Sequence, residues 1–235
     1  MKVLLGECIG TFLLILFGNG AVANVLLRES KGRGSGWIVI TAGWGVAVAL
    51  AVYVCGWLSD AHVNPAVTLA FATIGKLSWQ EVPMYLVGQF LGAFLGALAV
   101  YCTYYPHYRL EGDTALRRMT FCTEPAVDYP FWNFITEVIA TFALVFSVLG
   151  IINVHNDLPI GFAPLLIGLA VFGIGISLGG PTGYAINPAR DLAPRLAHSL
   201  LYSFRDSNWH YAWVPLCGPI VGGLLGSLLY RYLFM

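Results

Sequence analysis

The chain has 235 residues, of which 58% are hydrophobic and 10% charged, and its 12 basic and 12 acidic side chains cancel. A soluble domain of this length has no use for so much apolar surface, and a mean hydropathy of +0.74 points to an integral membrane protein. A net charge of zero lacks the basic footprint of a nucleic-acid binder, and the five scattered cysteines lack the paired spacing of a metal or redox site.

Leu4 to Leu27 is long and apolar enough to cross about 30 Å of hydrocarbon. Lys2 in front and Ala21-Val22-Ala23 near its end imitate a cleavable leader. Glu7 inside the run, and a near copy of the segment later in the chain, favour a retained span. Trp37 to Trp57 reads as the second span. Asn64-Pro65-Ala66 then opens a stretch, ending near Gly75, that is too short to cross. Asn before Pro is a sound helix start, because the Asn oxygen caps orphan N–H groups and Pro has no donor to orphan. Val82 to Tyr105 is the third span, with Gly88, Gly92 and Gly96 forming a small face for close helix approach.

A connector of unassigned role, Pro106 to Tyr129, leads to a fourth span from Phe131 to Val154, which carries Glu137. Ile160 to Leu178 is the fifth, ending in Gly175-Ile176-Ser177-Leu178-Gly179. That pentapeptide matches the nucleophile-elbow pattern, which needs a strand-to-helix turn with a His and an acid around it. At the end of a membrane helix it predicts no enzyme. Asn187-Pro188-Ala189 opens a second short stretch to about Leu200, and Tyr211 to Leu233, with Gly218, Gly222 and Gly226, is the sixth span.

The two glycine ladders are 130 residues apart, Gly88 to Gly218, and the same offset aligns Glu7-x-Ile9-x-Thr11-Phe12 with Glu137-x-Ile139-x-Thr141-Phe142. The chain is therefore one domain, 1–235, built from a duplicated unit with halves at approximately 1–105 and 130–235. Three spans per unit force the second copy to enter the membrane upside down. The expected fold is an all-α bundle of six spans plus two re-entrant half-helices that meet N-terminus to N-terminus near the midplane. Backbone without regular structure at that depth must line a cavity or lie buried in protein. The stretches leading in would present carbonyl acceptors, with Asn64 and Asn187 as donors. Two helix N-termini facing the centre repel protons and cations, so the pattern predicts a conduit for neutral hydrogen-bonding solutes.

Ser59-Asp60-Ala61-His62-Val63-Asn64-Pro65-Ala66-Val67 and Gly183-Tyr184-Ala185-Ile186-Asn187-Pro188-Ala189-Arg190-Asp191 closely resemble the signature loops of the aquaporin superfamily, the major intrinsic proteins. Asp191, Arg195, Pro215 and Leu216 resemble the glycerol facilitator branch. The resemblance implies a right-handed aquaporin-like bundle and a constriction at Trp44, Gly175, Tyr184 and Arg190. It implies central motifs at Asn64, Pro65, Ala66, Asn187, Pro188 and Ala189, and pore-lining backbone at Ala61, His62, Val63, Gly183, Ala185 and Ile186. Gly175 would leave room where water-selective relatives place a histidine, while Tyr184 replaces the Phe of well-known bacterial facilitators. Asp60 replaces a commoner Gly.

The implied activity is a passive channel for glycerol and similar small uncharged solutes, with some water permeation and with ions and protons excluded. Neutral organic acids such as protonated lactic acid, dihydroxyacetone or urea are alternative solutes. No cofactor or metal is implied; the expected setting is a homotetramer in the plasma membrane, the inner membrane in bacteria. Glu7 and Glu137 lie within spans, where an ionisable group suggests function by default. One reading makes them a proton relay of a coupled transporter; the other makes each an acceptor for loop N–H groups in its own half. Asp191 is expected to cap or tether the second half-helix. Orientation divides the signals: the resemblance places both termini in the cytoplasm, whereas the positive-inside rule places them outside, since Arg28, Lys31, Arg33, Arg109, Arg117, Arg118 and Arg205 fall in the opposite loops.

Overall fold

The computed structural model describes residues 1–235. Its helices, in chain order, are α1 (Lys2–Leu26), α2 (Trp37–Ser59), α3 (Pro65–Thr73), α4 (Val82–Thr103), α5 (Tyr105–Leu110), α6 (Thr114–Met119), α7 (Pro130–Ile151), α8 (Ala163–Leu178), α9 (Pro188–Leu201) and α10 (Trp213–Phe234). There is no strand. Five of the six long helices have 22 to 25 residues, enough for the hydrocarbon core. The sixth, α8, has 16 residues and at 1.5 Å each rises only about 24 Å. The sequence reading began this span at Ile160, but Gly161 turns there with φ +82° and the helix begins at Ala163 with Pro164 in its first turn. The fourth span likewise stops at Ile151, short of Val154, where Asn153 caps a separate 3-10 turn by accepting from the His155 N–H at 3.0 Å.

The duplication governs the packing. α1 packs along α4 and α7 along α10, each pair through its glycine ladder. A Cβ at Gly88 would lie 2.7 Å from the Leu4 carbonyl oxygen, and one at Gly96 would lie 2.8 Å from that of Phe12. At Gly92 and Gly222 it would run into the carbonyls of Cys8 and Val138, residues that are themselves 130 apart. Only hydrogen fits there, so the small face sets the helix spacing. The halves are joined by exchange: α3 of the first half packs on α10 of the second, and α9 packs on α4.

Candidate functional site

Each half-helix opens on an Asn cap. Asn64 Oδ1 accepts from the Ala66 N–H at 2.9 Å, and Asn187 Oδ1 accepts from those of Ala189 and Arg190 at 3.0 and 3.2 Å. The segments before the caps share one unusual backbone. Asp60, Ala61 and Val63 have φ of +59°, +46° and +44°, and Gly183, Tyr184 and Ile186, each 123 residues later, have +77°, +38° and +44°. Left-handed backbone at β-branched Val63 and Ile186 is strained and persists only when its surroundings hold it.

Those surroundings are two buried carboxylates. Glu7 accepts from the N–H groups of His62 and Val63 at 3.0 and 2.7 Å, from Ser59 Oγ at 2.7 Å and from Gln89 Nε2 at 2.7 Å. Glu137 accepts from the N–H groups of Ala185 and Ile186 at 2.9 and 2.8 Å and from Thr182 Oγ1 at 2.7 Å. Charge-assisted hydrogen bonds of this length are the strong kind, and they hold loops that lack helical partners of their own. His62 is fixed as well. Thr68 Oγ1 donates to the Asn64 carbonyl at 3.1 Å, so it can only accept from His62 Nδ1 at 3.2 Å, and the imidazole packs against Phe71 and Tyr85.

The two caps are tied crosswise. Asn64 Nδ2 donates to the Ile186 carbonyl at 2.7 Å, and Asn187 Nδ2 donates to the Val63 carbonyl at 2.8 Å. Each amide keeps one further N–H, and both asparagines line a cavity of about 440 Å³. Its wall is mostly apolar, 18 of 25 lining residues, including Leu14, Val48, Val67, Leu144, Ile167 and Val171. Ala61, His62, Val63, Ala185 and Ile186 also border it, while Gly183 does not. One mouth carries Asp60 and Lys76; the other end closes on Trp44, Tyr184 and Arg190.

At that end the Arg190 guanidinium carbon lies 4.2 Å from the centroid of the Trp44 ring, a cation–π contact. Arg190 Nη1 donates to the Phe121 carbonyl at 3.4 Å. Asp191, beside it, does not pair with Arg190; it pairs with Arg195 Nη2 at 2.9 Å and accepts from the Thr123 N–H and hydroxyl at 2.7 and 2.6 Å. Gly175 is absent from the cavity wall. A Cβ there would lie 2.8 Å from Tyr184 Cζ and 2.9 Å from its hydroxyl oxygen, so the room expected above Gly175 holds the Tyr184 phenol. Trp37 completes this corner by donating Nε1–H to the Gly175 carbonyl at 3.0 Å and meeting the Tyr184 ring edge-on.

The description of the major intrinsic protein family matches residues 1–230. The chain belongs to that family. It is similar to a probable glycerol uptake facilitator protein of Thermotoga maritima, 55% identical over the whole of both chains. It is 48% identical to the glycerol uptake facilitator protein of Bacillus subtilis, across all of this chain and 85% of the relative. Among solved structures, the aquaglyceroporin from Plasmodium falciparum superposes with a TM-score of 0.91 at 31% identity, covering 99% of this chain and 96% of that one.

As a major intrinsic protein the chain carries two features whose roles the sequence left open. Asp60 sits where the backbone is left-handed, at φ +59°, closing α2 with its N–H on the Gly56 carbonyl at 3.0 Å. Gly adopts that conformation freely and Asp is among the few other residues that tolerate it, which accounts for the exchange. The connector between the halves, left without a role above, folds into the site. Phe121 supplies the carbonyl on Arg190, and Thr123 bonds Asp191 through its N–H and Arg195 Nη2 through its carbonyl at 2.9 Å. Arg118 pairs with Glu124 and donates to the Asp206 carbonyl at 2.7 Å, fastening the connector to the turns around residues 205–211. Burial pushes the neighbouring Cys122 thiol up to about 12, so it stays a neutral packing group. Most of these contacts use backbone carbonyls and N–H groups, which carry no side-chain signature.

Proposed function

We propose that this major intrinsic protein is a passive channel for glycerol and similar small uncharged polyols, with water as a lesser permeant and with ions and protons excluded. The observation that carries the reading is the pair of cross-tied Asn caps at the centre of a mostly apolar cavity, with one spare amide N–H on each, ending at Arg190 stacked on Trp44. A polyol has an apolar carbon edge and a hydroxyl edge. Trp44 and Tyr184 suit the first, and Arg190 with the asparagine amides suits the second.

The positive ends of α3 and α9 both face the centre, where a cation would meet two N-terminal dipoles. In this reading Glu7 and Glu137 serve as fixed acceptors for the strained loops. The names of the bacterial relatives support glycerol as the solute. We read the whole of residues 1–235 as one channel domain, each subunit of a homotetramer carrying its own pore in a bacterial inner membrane.

The reading is tested with purified protein in liposomes bearing an imposed proton gradient. A channel brings internal glycerol to the external concentration and no further, with or without an uncoupler. Accumulation above the external concentration that an uncoupler abolishes would instead make the protein a proton-coupled transporter.

A further inference from the structure

The duplication supplies an internal control for the residues of α1, and among the pairs buried in both halves one exchanges a polar for an apolar side chain. Glu7, Thr11, Phe12 and Leu14 recur 130 residues later as Glu137, Thr141, Phe142 and Leu144, but Asn19 corresponds to Leu149. Both are 1% exposed. The second half thus shows that a leucine fills this place in the bundle, whereas the first half holds an amide there. Asn19 Nδ2 donates to the Phe121 carbonyl at 3.0 Å, and its Oδ1 has no partner. A buried amide using half its capacity is a poor stabiliser compared with an aliphatic side chain.

The contact it makes is specific in place. The Phe121 carbonyl is the same oxygen that receives Arg190 Nη1 at 3.4 Å. Phe121 is held as well by its ring, which packs on Tyr108, His198 and Tyr202, and by the N–H groups of Phe121 and Cys122, which donate to the Arg118 carbonyl at 2.9 and 3.1 Å. Its carbonyl oxygen receives two side-chain donors, one from α1 and one from Arg190 itself. The residue before Asn19, Gly18, lies directly against the Trp44 ring on which Arg190 stacks. One turn of α1 thereby touches the aromatic wall and also the carbonyl that anchors the guanidinium.

We infer that Asn19 is a positioning residue for solute selection: it fixes the Phe121 carbonyl, and through it the Arg190 guanidinium, against Trp44. This rests on the reading of Arg190 as the solute-selecting group. Asn19 touches no solute in this scheme; it acts through the connector. Losing its hydrogen bond leaves Phe121 with one donor and lets the guanidinium share the motion of the connector, which widens the range of solutes that pass.

The test compares wild type, Asn19→Leu, Arg190→Ala and the double variant in liposomes, reading the permeability to erythritol relative to glycerol. Hydrogen–deuterium exchange at residues 120–124 is measured alongside. Asn19→Leu is expected to melt at or above the wild-type temperature, because it restores the residue of the other half. Its erythritol-to-glycerol ratio should rise about fivefold, the size of one hydrogen bond to a positioned group. Residues 120–124 should exchange faster, and adding Asn19→Leu to Arg190→Ala should change the ratio no further. An unchanged ratio with unchanged exchange overturns the inference, as does a full additional effect in the Arg190→Ala background. Asn19→Ser, too short to reach the carbonyl, is expected to behave alike and serves if the leucine variant does not fold. If wild type passes no glycerol, the proposed function fails, and exchange at residues 120–124 alone then decides the role of Asn19.

Discussion

Arg190 is held by two contacts of different kinds, the Trp44 face and the Phe121 carbonyl, with no direct ion pair to Asp191, which pairs with Arg195. Arg190→Ala should therefore leave the bundle folded while loosening selection, with erythritol and urea flux rising relative to glycerol by about tenfold, the scale of a charged hydrogen bond. Swelling assays on equal amounts of reconstituted protein check this. Glu137 makes a contrasting case, because its two oxygens accept from three donors. Glu137→Gln keeps one acceptor oxygen and turns an N–H₂ toward a buried N–H, which costs about 1–3 kcal/mol for the orphaned group. Thermal stability should fall while glycerol flux per folded molecule holds; a proton relay would lose flux instead.

Much of this chemistry was legible in the sequence, because the paired Asn-Pro-Ala tripeptides, the repeated Glu7 and Glu137, and Arg190 beside the second tripeptide announce themselves. Phe121, Thr123 and Asn19 did not. The first two act mainly through main-chain atoms, and Asn19 stands out only when set against Leu149 and the carbonyl it meets. Gly175 shows a further limit: its missing side chain was visible, but Tyr184 folding across it was not.

Among the elements, the short helices were located closely, α3 over Pro65–Thr73 and α9 over Pro188–Leu201, since Asn-Pro fixes a start and length excludes a span. Span ends were less legible, because apolar residues continue beyond α7 and before α8 into turns set by Asn153 and Gly161. The glycine ladders yield a sharp expectation. Gly92→Leu drives a side chain into the Cys8 carbonyl, and overpacking of this kind costs about 1–3 kcal/mol or more where backbone blocks relaxation. The yield of folded protein in detergent should drop steeply. Gly173→Ala, whose Cβ meets nothing within 4 Å, is the matched control and should be tolerated.

For the whole molecule, the inverted duplication is what turns ordinary helix caps into a pore. Two units of three spans place α3 and α9 nose to nose, and the crosswise bonds from Asn64 to Ile186 and from Asn187 to Val63 close the centre. Glu7 and Glu137 hold the left-handed loops on either side, and the connector breaks the symmetry at one end, where its Phe121 carbonyl holds Arg190 of α9 and its Thr123 holds Asp191. In the proposed function, selection is thereby confined to one end, whereas the barrier to cations lies at the centre.

The measurement that tests this most directly is stopped-flow light scattering of liposomes containing the purified protein, exposed in parallel to gradients of glycerol, urea and lactic acid. Reswelling with glycerol should be much faster than in protein-free liposomes and faster than with the other two solutes, with no accompanying proton leak reported by an internal pH dye. Glycerol reswelling no faster than in protein-free liposomes would contradict the account.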